Sequence, residues 1–117
     1  MRRGLKGSCE LQRKRIEIEG IVQGVGFRPF VYQIARLYGV GGWVCNTSRG
    51  VMIEAEAVST SLNSFLVDLK EKTPPLAEIT RFDVVDCSLQ GDDCFVIRES
   101  VAAVQKTALI PDGQLPQ

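Results

Sequence analysis

Between Lys14 and Ile97 the spacing of apolar residues switches repeatedly between a period of two and a helical period, and the order of those switches leaves few folds open. Ile16 and Ile18 alternate with Glu17 and Glu19, so Lys14 to Val22 reads as a half-buried strand. A helix follows, with Pro29 suited to its first position and Gly39 to its C-terminal stop. Phe30, Ile34, Leu37 and Tyr38 would share its apolar face. Val40 to Asn46 and Val51 to Ala57 read as a hairpin closed by Thr47-Ser48-Arg49-Gly50. Leu62, Phe65, Leu66 and Leu69 fall at i, i+3, i+4 and i+7 of a second helix, which Ser59, Thr60 or Ser61 can cap. Lys70 and Lys72 favour its C-terminal dipole, and Pro74-Pro75 ends it. Ile79 to Asp86, with Phe82 and Val84 alternating, is a fourth strand. After the polar stretch Ser88 to Asp93, Phe95 and Ile97 mark a short last one.

The order is therefore β-α-β-β-α-β plus a final strand. Two helices cannot cover both faces of such a sheet, so both should pack on one. The expectation is an α+β chain, a ferredoxin-like α/β sandwich with a four- to five-stranded, mostly antiparallel sheet. At 117 residues the chain holds one such domain, expected over residues 14–99. Residues 1–13 lack apolar periodicity and read as a flexible basic arm, and residues 100–117 as a C-terminal tail or linker.

Charge and residue inventory narrow the function. Fourteen basic residues balance fourteen acidic ones, so no global field attracts nucleic acid or an anionic membrane. The strands also show no aromatic cluster of the kind that stacks RNA bases. Arg2, Arg3, Lys6, Arg13, Lys14 and Arg15 crowd the start, with only Glu10 against them, and read as a solvated arm. No apolar stretch approaches a membrane span. Cys9, Cys45, Cys87 and Cys94 form no CxxC pair and histidine is absent, which argues against a zinc site and removes Ser-His and Cys-His hydrolysis. Scattered cysteines in such a domain point to reduced thiols and a cytoplasmic location.

The chemistry lies in Gly20-Ile21-Val22-Gln23-Gly24-Val25-Gly26-Phe27-Arg28-Pro29, a glycine-rich loop between a strand end and a helix start. Gly24 and Gly26 permit positive φ and close approach of a ligand. The amides from Gln23 through Gly24, Val25, Gly26 and Phe27 to Arg28 can then curl around an anion at the positive end of the helix dipole. Arg28 adds a planar cation matched to two phosphate oxygens. Alone, the motif equally describes a tight strand-helix turn with a surface arginine. A second element is Asn46, in Gly41-Gly42-Trp43-Val44-Cys45-Asn46-Thr47. Its neutral carboxamide can both donate to and accept from a water molecule, although asparagine at a strand end is commonly a turn former. Cys45 has no adjacent base and reads as a small buried residue; Trp43 and Tyr32 read as packing aromatics.

Gly20-x-Val22-Gln23-Gly24-Val25-Gly26-Phe27-Arg28, followed eighteen positions on by Asn46 in Gly42-Trp43-Val44-Cys45-Asn46-x-x-x-Gly50, resembles the paired signatures of the acylphosphatase family. The similarity runs from about Lys14 to Arg98 and includes Pro74-Pro75-Leu76-Ala77. It implies that Arg28 binds phosphate, that Asn46 orients the attacking water, and that no metal or other cofactor takes part. Phe27-Arg28-Pro29-Phe30-Val31 and Val44-Cys45-Asn46 are similar to the amino-terminal domain of the HypF carbamoyltransferases of [NiFe]-hydrogenase maturation. Free-standing acylphosphatases usually carry a basic residue where this chain has Cys45. The segment Ala108-Leu109-Ile110-Pro111-Asp112 resembles the HypF linker that leads to zinc-binding cysteine pairs. The resemblance implies carbamoyl phosphate as substrate, later domains of a larger protein as neighbours, and HypE as the acceptor of the carbamoyl group. The departure at Cys45 leaves an alternative: a non-catalytic phosphate-binding module that docks on those later domains.

Overall fold

The computed structural model of the chain describes residues 10–98. Its elements are β1 (Leu11–Ile21), α1 (Phe27–Tyr38), β2 (Gly41–Asn46), β3 (Gly50–Val58), α2 (Ser59–Glu71), β4 (Glu78–Cys87) and β5 (Phe95–Ile97). The five strands form one sheet in the order β4-β1-β3-β2-β5. Three pairings are antiparallel, and β5 runs parallel to β2. The expected α+β sandwich with both helices on one face is what forms.

Alternate residues of the strands face the helices. Ile16 and Ile18 of β1, Ile53 and Ala55 of β3 and Val44 of β2 lie fully inside. They pack with Val31 of α1 and with Leu62, Phe65 and Leu69 of α2 in one core. Phe65 meets Phe95 of β5 in a tilted ring pair at 6.3 Å.

Several local expectations change. The face that α1 buries is Phe27, Val31, Ile34 and Ala35, while Leu37 is 69% exposed. Phe30 and Tyr38 still pack against the core, but the buried stripe is centred toward Val31 and Ala35, which leaves Leu37 on its exposed flank. In α2 the N-cap position is Val58, with no side-chain cap bond; the first-turn amide of Ser59 instead donates to Glu10 O at 2.9 Å. Leu11, Gln12 and Arg13, assigned above to the flexible arm, belong to β1 and pair with Val58, Ala57 and Glu56. Residues 1–9 of that arm, with Cys9, and the tail over 100–117 lie outside the described residues.

Arg13 is the largest departure from sequence reasoning. It sits on the sheet face away from the helices with its side chain only 1% exposed. The cause is the chain between β4 and β5. These strands lie at opposite edges, so the polar stretch after Cys87 must cross the sheet. It crosses the face opposite the helices, where Gln90 and Gly91 donate their amides to Glu56 at 2.8 and 3.0 Å. Under this crossing, Arg13 donates to Glu54 at 2.8 Å, Glu56 at 2.9 Å and Asp92 at 3.0 Å. Arg15 completes the cluster through Glu54 at 2.8 Å. A Cβ on Gly41 would fall 2.2 Å from Asp92 O, so only glycine lets the crossing lie this close to β2. The cationic run near the start is thus partly a buried ionic layer whose carboxylates come from β3 and from the crossing.

Candidate active site

β1 and β2 each pair antiparallel with β3, so they run parallel to one another and end at the same edge of the sheet. The glycine loop leaves the end of β1, and Asn46 closes β2. The topology therefore brings together the two motifs that lie eighteen residues apart.

The loop has the backbone its glycines allow. Gly24 has φ 76° and Gly26 φ 81°, both left-handed, and Gly26 is the N-cap of α1. The first intrahelical bond runs from the amide of Phe30 to Gly26 O at 3.2 Å. Pro29 has no N–H, and the amides of Phe27 and Arg28 precede that first bond, so they face the loop at the positive end of the helix dipole. Pro29 is the third helical residue rather than the first, which moves Arg28 from the cap into the first turn. Phe27 is buried in the core and fixes the helix start, while Arg28 is half-buried and its Nη1 donates to Arg98 O at 3.4 Å. That carbonyl follows β5, and Arg98 N donates to Val44 O at 2.8 Å. Arg28 thus spans from α1 to the strand beside β2.

On the other side, Thr47 N donates to Gly50 O at 2.9 Å, and Thr47 Oγ1 accepts the amide of Gly50 at 3.1 Å. The β2–β3 turn closes on itself as the hairpin reading expected. Asn46 is half-buried, but its Oδ1 is buried and accepts no hydrogen bond from any described residue. Buried acceptors are normally satisfied, so such an atom beside the glycine loop is a place for a hydrogen-bonding guest. Gln23 joins the two halves: its Nε2 donates to Thr47 O at 2.6 Å and to Gly50 O at 2.8 Å.

The family model for acylphosphatase matches residues 14–97. The chain belongs to the acylphosphatase family. It is 41% identical over 85 residues to the acylphosphatase of Thermotoga petrophila, covering 72% of this chain and 93% of that one. It is also 42% identical over 109 residues to the carbamoyltransferase HypF2 of Cupriavidus necator, covering 86% of this chain but 14% of the relative. A solved full-length HypF in a phosphate- and nucleotide-bound form superposes with a TM-score of 0.75 at 37% identity, covering 79% of this chain and 12% of that one. This acylphosphatase domain therefore spans about a seventh of the length of the HypF relatives it matches.

Residues that sequence reasoning singled out beside the site take definite places. Cys45 is 1% exposed, as expected of a small buried strand residue. Trp43 is half-buried and carries the Arg98 guanidinium 5.0 Å from its ring centroid, so it packs against a surface cation. Tyr32 packs against the core and bears Arg36 at 5.9 Å. Burial, and after it the charge of Glu54, pushes the Cys87 thiol up, away from the range of a reactive thiolate. The role of Arg98 was missed because it acts through its carbonyl, which carries no residue-type signal.

Proposed function

We propose that this acylphosphatase-type hydrolase domain cleaves carbamoyl phosphate as the amino-terminal domain of a cytoplasmic HypF-like carbamoyltransferase, with Arg28 and Asn46 as its catalytic side chains. The observation that carries the reading is the shared sheet edge: a left-handed glycine loop and a helix N-terminus on one side, and a buried carboxamide oxygen with no donor among the described residues on the other.

The chemistry follows from those groups. The phosphoryl oxygens lie against the amides from Gln23 to Arg28, and the Arg28 guanidinium bonds two of them. Asn46 Oδ1 accepts one hydrogen of a water and aims its lone pair at phosphorus, in line with the bond that breaks. The water oxygen bonds to phosphorus, the bridging P–O bond breaks with its electron pair on the carbamate, and the proton passes to solvent. Carbamate is a weak base and leaves without a general acid, which is consistent with a chain that has no histidine. Positioning and charge stabilisation then supply the acceleration, as is general for phosphoryl transfer.

The match to part of larger HypF carbamoyltransferases supports carbamoyl phosphate over other acyl phosphates and later domains as the site's neighbours, and the resemblance to HypF implies HypE as the eventual carbamoyl acceptor. The test is hydrolysis of carbamoyl and acetyl phosphate by the 117-residue chain beside its variants. Arg28→Ala abolishes turnover together with inhibition by inorganic phosphate. Asn46→Ala retains that inhibition while kcat falls about 10²- to 10³-fold, the cost of losing one aimed polar group at a reacting centre. Wild-type rates in both variants would refute the assignment, and phosphate binding without turnover in the unmodified chain would make the domain a docking module instead.

A further inference from the structure

Gln23 is the loop side chain that reaches the opposite half of the site. Its carboxamide has two N–H groups, and both are engaged: one on Thr47 O at 2.6 Å, the other on Gly50 O at 2.8 Å. Both acceptors lie in the turn that starts immediately after Asn46. The turn does not need Gln23 to form. Thr47 N already bonds Gly50 O at 2.9 Å, and Thr47 Oγ1 takes the amides of Arg49 and Gly50 at 3.3 and 3.1 Å. The strand end is separately joined to the turn by Gly20 N on Arg49 O at 3.3 Å. Gln23 itself is exposed and contributes nothing to the core.

A double hydrogen bond that neither packs the core nor closes the turn has one geometric effect: it sets the distance between the anion loop and Asn46. We propose that Gln23 is a positioning residue, a strut that holds the Asn46 carboxamide at the correct offset from the loop-bound phosphoryl group. The proposal rests on the assignment of Arg28 and Asn46 above. Binding of phosphate alone uses only the loop and Arg28, so it does not depend on that offset. In-line attack does, because a water held about 1 Å from its proper place can cost about a hundredfold in rate.

The experiment compares wild type with Gln23→Met, Gln23→Ala and Gln23→Glu. Methionine keeps the length and removes both donors, and kcat for acetyl and carbamoyl phosphate is expected to fall about 10- to 100-fold. Inhibition by inorganic phosphate and the urea midpoint stay near wild type. In Gln23→Glu the ionised carboxylate faces two carbonyl oxygens with no hydrogen to offer, and activity falls at least as far. Protonation restores one O–H donor, so its activity relative to wild type rises as pH falls through the range of an ordinary glutamate, about 4–5, whereas the methionine variant shows no such recovery. A Gln23→Met kcat within about twofold of wild type overturns the strut. So does a parallel loss of phosphate inhibition and rate, which would mean a collapsed loop. A wild-type chain that hydrolyses neither substrate overturns the parent assignment with it, whereas active wild type with fully active variants overturns the strut alone.

Discussion

Replacing Arg13 with methionine tests the buried ionic layer that carries the β4–β5 crossing. Methionine fills a similar stem volume and removes the guanidinium, which bonds Glu54, Glu56 and Asp92 at 2.8, 2.9 and 3.0 Å. Asp92 is 39% exposed and is rehydrated at little cost. Glu54 and Glu56 are 10% and 5% exposed and cannot be. Removing one partner of a buried pair typically costs about 3–5 kcal/mol. The lower end applies here, because Glu54 keeps Arg15 and Glu56 keeps the amides of Gln90 and Gly91. A loss of about 3 kcal/mol lowers the Tm of a domain this size by roughly 12–24 °C.

The penalty has a pH signature. Burial alone would push the Glu54 carboxyl up, but hydrogen bonds from Arg15 and Arg13 outweigh it and hold the group below the usual carboxylate range. Glu56 is likewise pushed up by burial and brought below that range by the Gln90 amide, Arg13 and the Gly91 amide. A depressed carboxyl stabilises the fold above its unfolded pKa of about 4.3, and that contribution is lost as pH falls through the lower folded value. Wild type should therefore lose stability on acidification below about pH 5. The variant, whose carboxylates are already destabilised, loses less, so the two stabilities converge toward pH 3–4. Urea unfolding of both proteins at neutral and acid pH measures this. A neutral-pH difference under about 1 kcal/mol, or one that widens with acidification, would refute the layer as described.

Two further outcomes follow from single contacts. Gly26→Ala puts a Cβ on a residue at φ 81°, which costs about 1–2 kcal/mol although the space is open; phosphate inhibition should weaken alongside the thermal midpoint. Tyr38→Phe removes the 2.7 Å bond from Tyr38 Oη to Asp68 Oδ2, leaving a buried carboxylate to Lys72 at 3.6 Å, and chemical denaturation should show a loss of about 1–3 kcal/mol.

The element order was legible in the chain because each element announces itself locally. Leu62, Phe65, Leu66 and Leu69 can only share a face on a helix, and Ile16 and Ile18 can only alternate with Glu17 and Glu19 on a strand. The glycine loop ahead of α1 was legible for the same reason: two glycines, an arginine and a helix start lie within a few residues. Arg13 was not. Its burial depends on Glu54 and Glu56, some forty residues away, and on a crossing whose path is fixed only when β4 and β5 take opposite edges. Leu37 failed by a narrower margin: it lies on the flank of a stripe centred toward Val31 and Ala35, and periodicity alone does not fix how that stripe is turned toward the sheet.

The amino-acid order by itself determined which segments are strands or helices and where a left-handed glycine loop opens α1, because those properties depend on neighbours in the chain. Tertiary structure decided that Asn46 and the loop share an edge, that Gln23 bridges them, and that three acidic side chains surround a buried arginine. Such meetings depend on strand order and register, which short-range periodicity does not encode.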